Sequence, residues 1–117
     1  MSYVDGFVLA VPNANKQAFL DFAGKFDPIF KEYGALRVVE CWGDDVPDGK
    51  QTDFKRAVQC KDDETVVFSW IEWPDKETRD AGMKKMFEDP RMDPKANPMP
   101  LDGARMIYGG FRPVLDI

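Results

Sequence analysis

Three carboxylates stand inside runs that read as β-strands: Asp5, Glu40 and Glu72. Asp5 shares its strand face with Tyr3, Phe7 and Leu9. Glu40 shares one with Leu36, Val38 and Trp42, and Glu72 shares one with Phe68 and Trp70. A carboxylate on an apolar face must be paired, hydrogen-bonded or shifted in pKa. A shifted carboxyl can serve as general acid or base. The structural alternative is an ion pair with Arg37, Arg105 or Arg112 that fixes an interface. Arg37, Trp42, Trp70 and Tyr108 are candidates to bind a ligand, and with Trp73 the aromatic members can line a pocket for a planar molecule. The chain has no histidine. That removes Ser-His-Asp and Cys-His catalysis, His-ligated zinc and His-bound haem.

The stretch VECWGDDVPDG (Val39 to Gly49) also invites a chemical reading. As a calcium loop beginning at Asp44 it fails, because Val46 and Lys55 stand where oxygen ligands are required. A turn through Val46-Pro47-Asp48-Gly49 is the expectation, with Pro at preset φ and Gly closing it. A weak divalent-cation site at Asp44 and Asp45 is the other reading. Cys41 has no cation near enough along its strand to make a thiolate, so it reads as an inert core residue. No metal site and no cofactor are expected.

These residues must be positioned by a fold. The 117 residues suit one domain spanning 1–117, able to bury roughly 65% of its unfolded surface. Sixteen basic against 21 acidic residues give −5, which disfavours nucleic acid and anionic membranes. Two cysteines do not make a disulfide framework, so a cytoplasmic location is expected. No apolar run approaches the ~20 residues of a membrane helix.

Tyr3 to Val11 reads as a strand ended by Pro12, with Asn13 or Asn15 as the following N-cap. Phe19, Phe22, Ala23, Phe26, Ile29, Phe30 and Tyr33 form a helical apolar stripe. Lys25, Asp27, Lys31 and Glu32 are assigned to the opposite side. Pro28 predicts a kink, and Gly34 a C-terminal stop. Ala35 to Trp42 is a second strand, Asp53 to Gln59 a candidate short helix, and Thr65 to Trp73 a third strand. Asp75 caps a second long helix, with Met83, Met86 and Phe87 facing inward. The proline-rich segment 89–103 is an irregular loop: a plain connector, a dimer-clasping arm or a lid over a pocket. Arg105 to Leu115 is the fourth strand, with Gly109-Gly110 a bulge or a close approach.

The order βαββαβ is the α+β, ferredoxin-like pattern: a four-stranded antiparallel sheet with two helices on one face. The other face is also rich in large apolar side chains. Left bare, it would be an exposed patch of several hundred Å², so a homodimer with sheets face to face is expected.

The strings YVDGFVLAVP, GALRVVECWGDDVPDGK, ETVVFSWIEWP, DPRM and RMIYGGF resemble the YbaA-like family of unknown function, in the dimeric α/β-barrel superfamily. The resemblance implies a ferredoxin-like protomer and a barrel formed by two sheets. It implies no activity. Superfamily relatives include cofactor-free monooxygenases and small-molecule isomerases, but fold does not carry function across such a group. The sequence therefore leads to a dimeric barrel that binds a small apolar or aromatic molecule. The alternatives are a cofactor-independent monooxygenase- or isomerase-like enzyme using the strand carboxylates, and a noncatalytic structural dimer.

Overall fold

The computed structural model describes residues 2–117. Four strands form one antiparallel sheet: β1 (Tyr3–Pro12), β2 (Arg37–Trp42), β3 (Glu64–Trp73) and β4 (Ile107–Phe111), in the spatial order β2-β3-β1-β4. The long helices α1 (Lys16–Glu32) and α3 (Lys76–Glu88) pack against each other and one sheet face, while a single-turn helix α2 (Phe54–Ala57) lies in the β2–β3 connection. This is the ferredoxin-like arrangement that the βαββαβ order implies.

Register decides which residues share a face. Asp5 lies opposite Ile71, and Glu40 opposite Ser69. Side chains alternate along each strand, so the helix-facing set holds Tyr3, Asp5, Leu9 and Val11 with Val67, Ser69, Ile71 and Trp73, all buried. The opposite face carries Val4, Val8, Val39, Phe68, Trp70, Glu72, Ile107 and Phe111. Segments beyond the helices cover only one end of that face, where Val58, 1% exposed, packs on Ala10 and Val66.

The helix signals act as their chemistry requires, with two exceptions. Asp75 accepts a hydrogen bond from the Thr78 N–H (2.7 Å) and caps α3. Gly34 adopts φ +113°, which ends α1 in the left-handed conformation. Helix α1 runs unbroken through Pro28. Asn15, by contrast, makes no side-chain cap; its amide donates to the Pro100 carbonyl across 3.0 Å, and a 3₁₀ turn over Asn13–Asn15 leads into α1 instead. Phe87 is 85% exposed rather than inward, because Gly82 and Met86 take the buried side of α3.

Three further differences concern the edges. Strand β4 is shorter than expected, with an unbroken ladder and no bulge; Gly110 is instead a close approach, where a Cβ would lie 2.8 Å from Arg79 Nη2. No backbone hydrogen bond closes Val46 to Gly49 as a turn. That loop is held from α2: Asp53 accepts from the Gly49 N–H (3.1 Å), and the Arg56 guanidinium donates to the Gly49 and Gln51 carbonyls. Side chain–backbone bonds thus replace the local turn.

Gly82 shows how closely α3 approaches the sheet. A Cβ there would lie 2.7 Å from both the Trp73 ring and the Tyr33 carbonyl oxygen. Alanine improves helix propensity by about 1 kcal/mol, but a backbone carbonyl cannot yield as a flexible side chain can. Gly82→Ala is expected to destabilise the protein by a net ~1–3 kcal/mol through overpacking, read as a lowered urea midpoint at unchanged m.

Candidate functional site

The sheet sends Asp5, Glu40 and Glu72 to three different environments. Asp5 is 3% exposed and fully engaged. Its Oδ2 accepts from Trp73 Nε1 (2.9 Å) and Arg79 Nε (3.1 Å), and its Oδ1 accepts from Arg79 Nη2 (2.7 Å). The expected arginine partners were Arg37, Arg105 and Arg112; the actual one, Arg79, comes from α3. Arg105 instead pairs with Glu64 through two 2.7 Å bonds, which hold the Glu64 carboxyl down at about 2. Asp5 thus has the geometry of a structural ion pair.

Glu72 lies on the open face. It accepts from Trp70 Nε1 (2.9 Å) and stands 3.5 Å from Arg37, whose side chain is 64% exposed. An ion pair this hydrated contributes little.

Glu40 is different. It points from the central part of β2 toward α1, where Asp27 meets it. Burial pushes the Glu40 carboxyl up to about 8, and the neighbouring Asp27 charge and the hydrogen bond the two acids share push the same way; Ser69 opposes them. Asp27 is raised too, chiefly by burial. Two neighbouring carboxylates repel when both are ionised, which favours keeping a proton on one of them. The buried Glu40 Oε2 meets no donor among the described residues. The two groups titrate as a pair, holding a proton well into the neutral range.

The pair opens on a cavity of about 660 Å³ between the sheet and the two long helices, roofed by the segment that follows α3. The walls are apolar, formed mainly by Phe7, Phe22, Phe26, Phe30, Val38 and Met83. This size and character suit a small-molecule site. The proline-rich segment contributes Met92, Pro94, Met99 and Leu101 to the cavity lining. Its start is tied down: Tyr33 Oη donates to Asp89 (2.7 Å), and Arg91 bridges Asp89 (2.7 Å) and Glu32 (3.2 Å). Those donors hold the Asp89 carboxyl well below the usual range.

The proposed aromatic binding residues do not converge. Trp42 sits on β2 against Phe19, with Lys16 over its ring at 5.0 Å. Tyr108 stacks on Phe7 from β4 and is 73% exposed. β2 and β4 are opposite edges of the sheet, about 14 Å apart at ordinary strand spacing. Trp70 and Arg37 face the other side, and Trp73 is wholly buried beside Asp5. Asp27 is the residue that sequence reasoning misplaced. It follows Ala23 by four residues and precedes Phe30 by three, so it lies on the margin of the apolar stripe rather than opposite it. That spacing was the available signal.

Among the described residues, no group of three or more acidic or sulfur side chains could hold a metal ion. Cys41 and Cys60 are both free. No helix is long and apolar enough to cross a membrane.

Comparison with known proteins agrees with this fold and adds no activity. The chain is 60% identical over 116 residues to the uncharacterized protein YbaA of Escherichia coli K12, covering 99% of each chain. The Shigella flexneri protein of the same name matches equally. Among solved structures, a dimeric ferredoxin-like protein from an uncultured marine organism superposes with TM-score 0.63 at 13% identity, covering 99% of this chain and 98% of that one. The family model described as a protein of unknown function, DUF1428, matches residues 2–103. With that match over most of its length and 60% identity to a relative across 99% of the chain, the chain belongs to the DUF1428 family.

Proposed function

We propose that this protein binds a small, largely apolar molecule in the cavity between its helices and sheet, with the Asp27–Glu40 pair as the polar anchor. The observation that carries this reading is a pair of acids, Asp27 and Glu40, on the wall of a cavity lined mainly by apolar side chains, with Glu40 Oε2 buried and without a donor among the described residues. Such a pair is costly to bury and does nothing for packing that a Leu or Met would not do better. Where chemistry occurs, the protonated member donates and the ionised member accepts, so both halves of an acid–base step are in one place. Glu40 is the member of the original carboxylate set that fits this role; Asp5 and Glu72 fit structural ones.

Titration with naphthalene, followed by its fluorescence, tests the binding reading. One site per chain is expected, and Met83→Trp, which fills the cavity, is expected to abolish it while leaving the circular dichroism spectrum native. Absence of binding, or binding indifferent to Met83→Trp, sinks the reading.

The same proposal includes a homodimer. Phe68, Ile107 and Phe111 are 44%, 45% and 62% exposed on the open sheet face, beside Val4, Val8 and Trp70 along a groove of about 770 Å³. A second copy covers this patch sheet to sheet, and the ferredoxin-like neighbour is itself described as dimeric. Light scattering is expected to give twice the chain mass of 13.3 kDa; a monomer at micromolar concentration contradicts the assignment. Two free cysteines accord with a reducing cytoplasm.

A further inference from the structure

The cavity has a pronounced imbalance of charge. Its lining residues include five acids, Asp27, Glu40, Glu88, Asp89 and Asp93, against one cation, Arg91. That cation is already committed. Its Nε and Nη2 donate to Asp89, and its Nη1 donates to Glu32. Nothing on the described wall is left to neutralise an incoming anion. What the site lacks is the opposite, a donor: Glu40 Oε2 is buried with none. The surrounding rings of Phe22, Phe26 and Phe30 offer negative faces to a cation as well as contact to an apolar body.

We infer that the cavity selects a protonated primary amine carried on an apolar body, whose ammonium is held by the Asp27 and Glu40 side chains on the cavity wall. This inference rests on the cavity being a ligand site and adds the class of ligand. The charges balance: the pair with one proton carries −1, the ammonium +1. On binding, the proton leaves to solvent, and the doubly ionised pair with its ammonium again carries −1. The ammonium's N–H groups supply the donor that Glu40 Oε2 lacks. The other charged residues lining the cavity are few and mostly acidic: Glu88 from α3, and Asp89, Arg91 and Asp93 from the roof; the uncharged Ser69 hydroxyl from β3 acts on Glu40. They reinforce the preference for a cation.

The test is calorimetric titration of the full-length protein at pH 7 with three matched probes: 4-phenylbutylamine, 4-phenylbutanol and 4-phenylbutyrate. The amine is expected to bind about tenfold or more tighter than the alcohol, the equilibrium counterpart of one charge-assisted hydrogen bond, and the carboxylate weakest. Repeating the amine titration in phosphate and in Tris is expected to reveal release of close to one proton per amine bound. Glu40→Gln and Asp27→Asn are each expected to reduce the amine to the affinity of the alcohol and to abolish proton release. If the alcohol binds as well as the amine, or the variants keep the amine preference, the amine assignment is overturned while the cavity reading stands. If none of the three binds, both fall together.

Discussion

Replacing Asp5 by alanine is expected to lower stability by about 3–5 kcal/mol, the range for breaking a buried, hydrogen-bonded ion pair from one side. The cost comes from what remains. Trp73 is wholly buried, and its indole N–H donates to Asp5. The Arg79 guanidinium spends its Nε and Nη2 donors on the same carboxylate. Removing the acceptor strands all three donors in a setting where an unsatisfied group costs ~1–3 kcal/mol and a charged one more. A domain of this size has only about 5–15 kcal/mol in total, and at roughly 4 °C per kcal/mol the melting temperature falls by about 12–20 °C. Arg79→Met alone is expected to cost similarly, because it leaves the Asp5 charge buried. The double variant Asp5→Ala/Arg79→Met is expected to cost less than the sum, with a coupling of about 1–3 kcal/mol. Additive losses in chemical denaturation contradict the assignment of Asp5 and Arg79 as one unit.

Glu40→Gln is expected to act in the opposite direction, and only at higher pH. The folded-state carboxyl is raised from 4.5 to about 8, so between those values the native protein holds a proton that the unfolded chain releases. Stability therefore falls as pH rises through that window and levels off above it. Its favourable state is complete only below about pH 4.5, the unfolded value. Glutamine keeps the donor toward Asp27 and cannot ionise. The variant should match wild type near pH 5 and exceed it at pH 8.5 by on the order of 2 kcal/mol. Partial hydration of the pair keeps the gain below the full ~1.4 kcal/mol for each tenfold change in proton affinity. A mutation that stabilises by removing a carboxylate is what a functional site, rather than a structural one, should give. Denaturation midpoints of both proteins at the two pH values decide it; equal midpoints at pH 8.5 contradict the shared proton.

The fold was legible because its signals are local and redundant. Pro12 and Pro74 end strands, Asp75 caps α3, and Gly34 must adopt φ +113°, which few residues tolerate. Alternation in β3 placed Glu72 on one face with Phe68 and Trp70, as the register has them. The site was half legible. Glu40 stands out in any strand reading as a charge on an apolar face. Its partner does not, because Asp27 lies on a helix margin where a polar residue is ordinary. Whether such a residue turns to solvent or to the sheet depends on how the helix is seated, and that is tertiary information. Arg79 was hidden for a related reason: α3 has a weak apolar stripe, so its polar residues carry no signal of direction. The expected cluster of Trp42, Trp70 and Tyr108 failed on topology. Same-face parity within a strand says nothing of the order of strands across the sheet, and β2 and β4 stand at opposite edges.

Asp89, Arg91 and Tyr33 suggest how the roof of the cavity is held. The bonds that Asp89 accepts from Tyr33 and Arg91 tether the start of the segment. Beyond it, Asn15 reaches the Pro100 carbonyl and Asn97 the Arg91 carbonyl, both single neutral bonds of modest worth.

The claim on which the rest depends is that Asp27 and Glu40 share one proton at neutral pH. A carbon-13 NMR titration of the Glu40 side-chain carboxyl measures it directly. The expected midpoint is near 8, shifted down in Asp27→Asn, where the neighbouring charge is gone. A midpoint below about 5, the ordinary range for a hydrated glutamate, contradicts the pair and with it the proposed site.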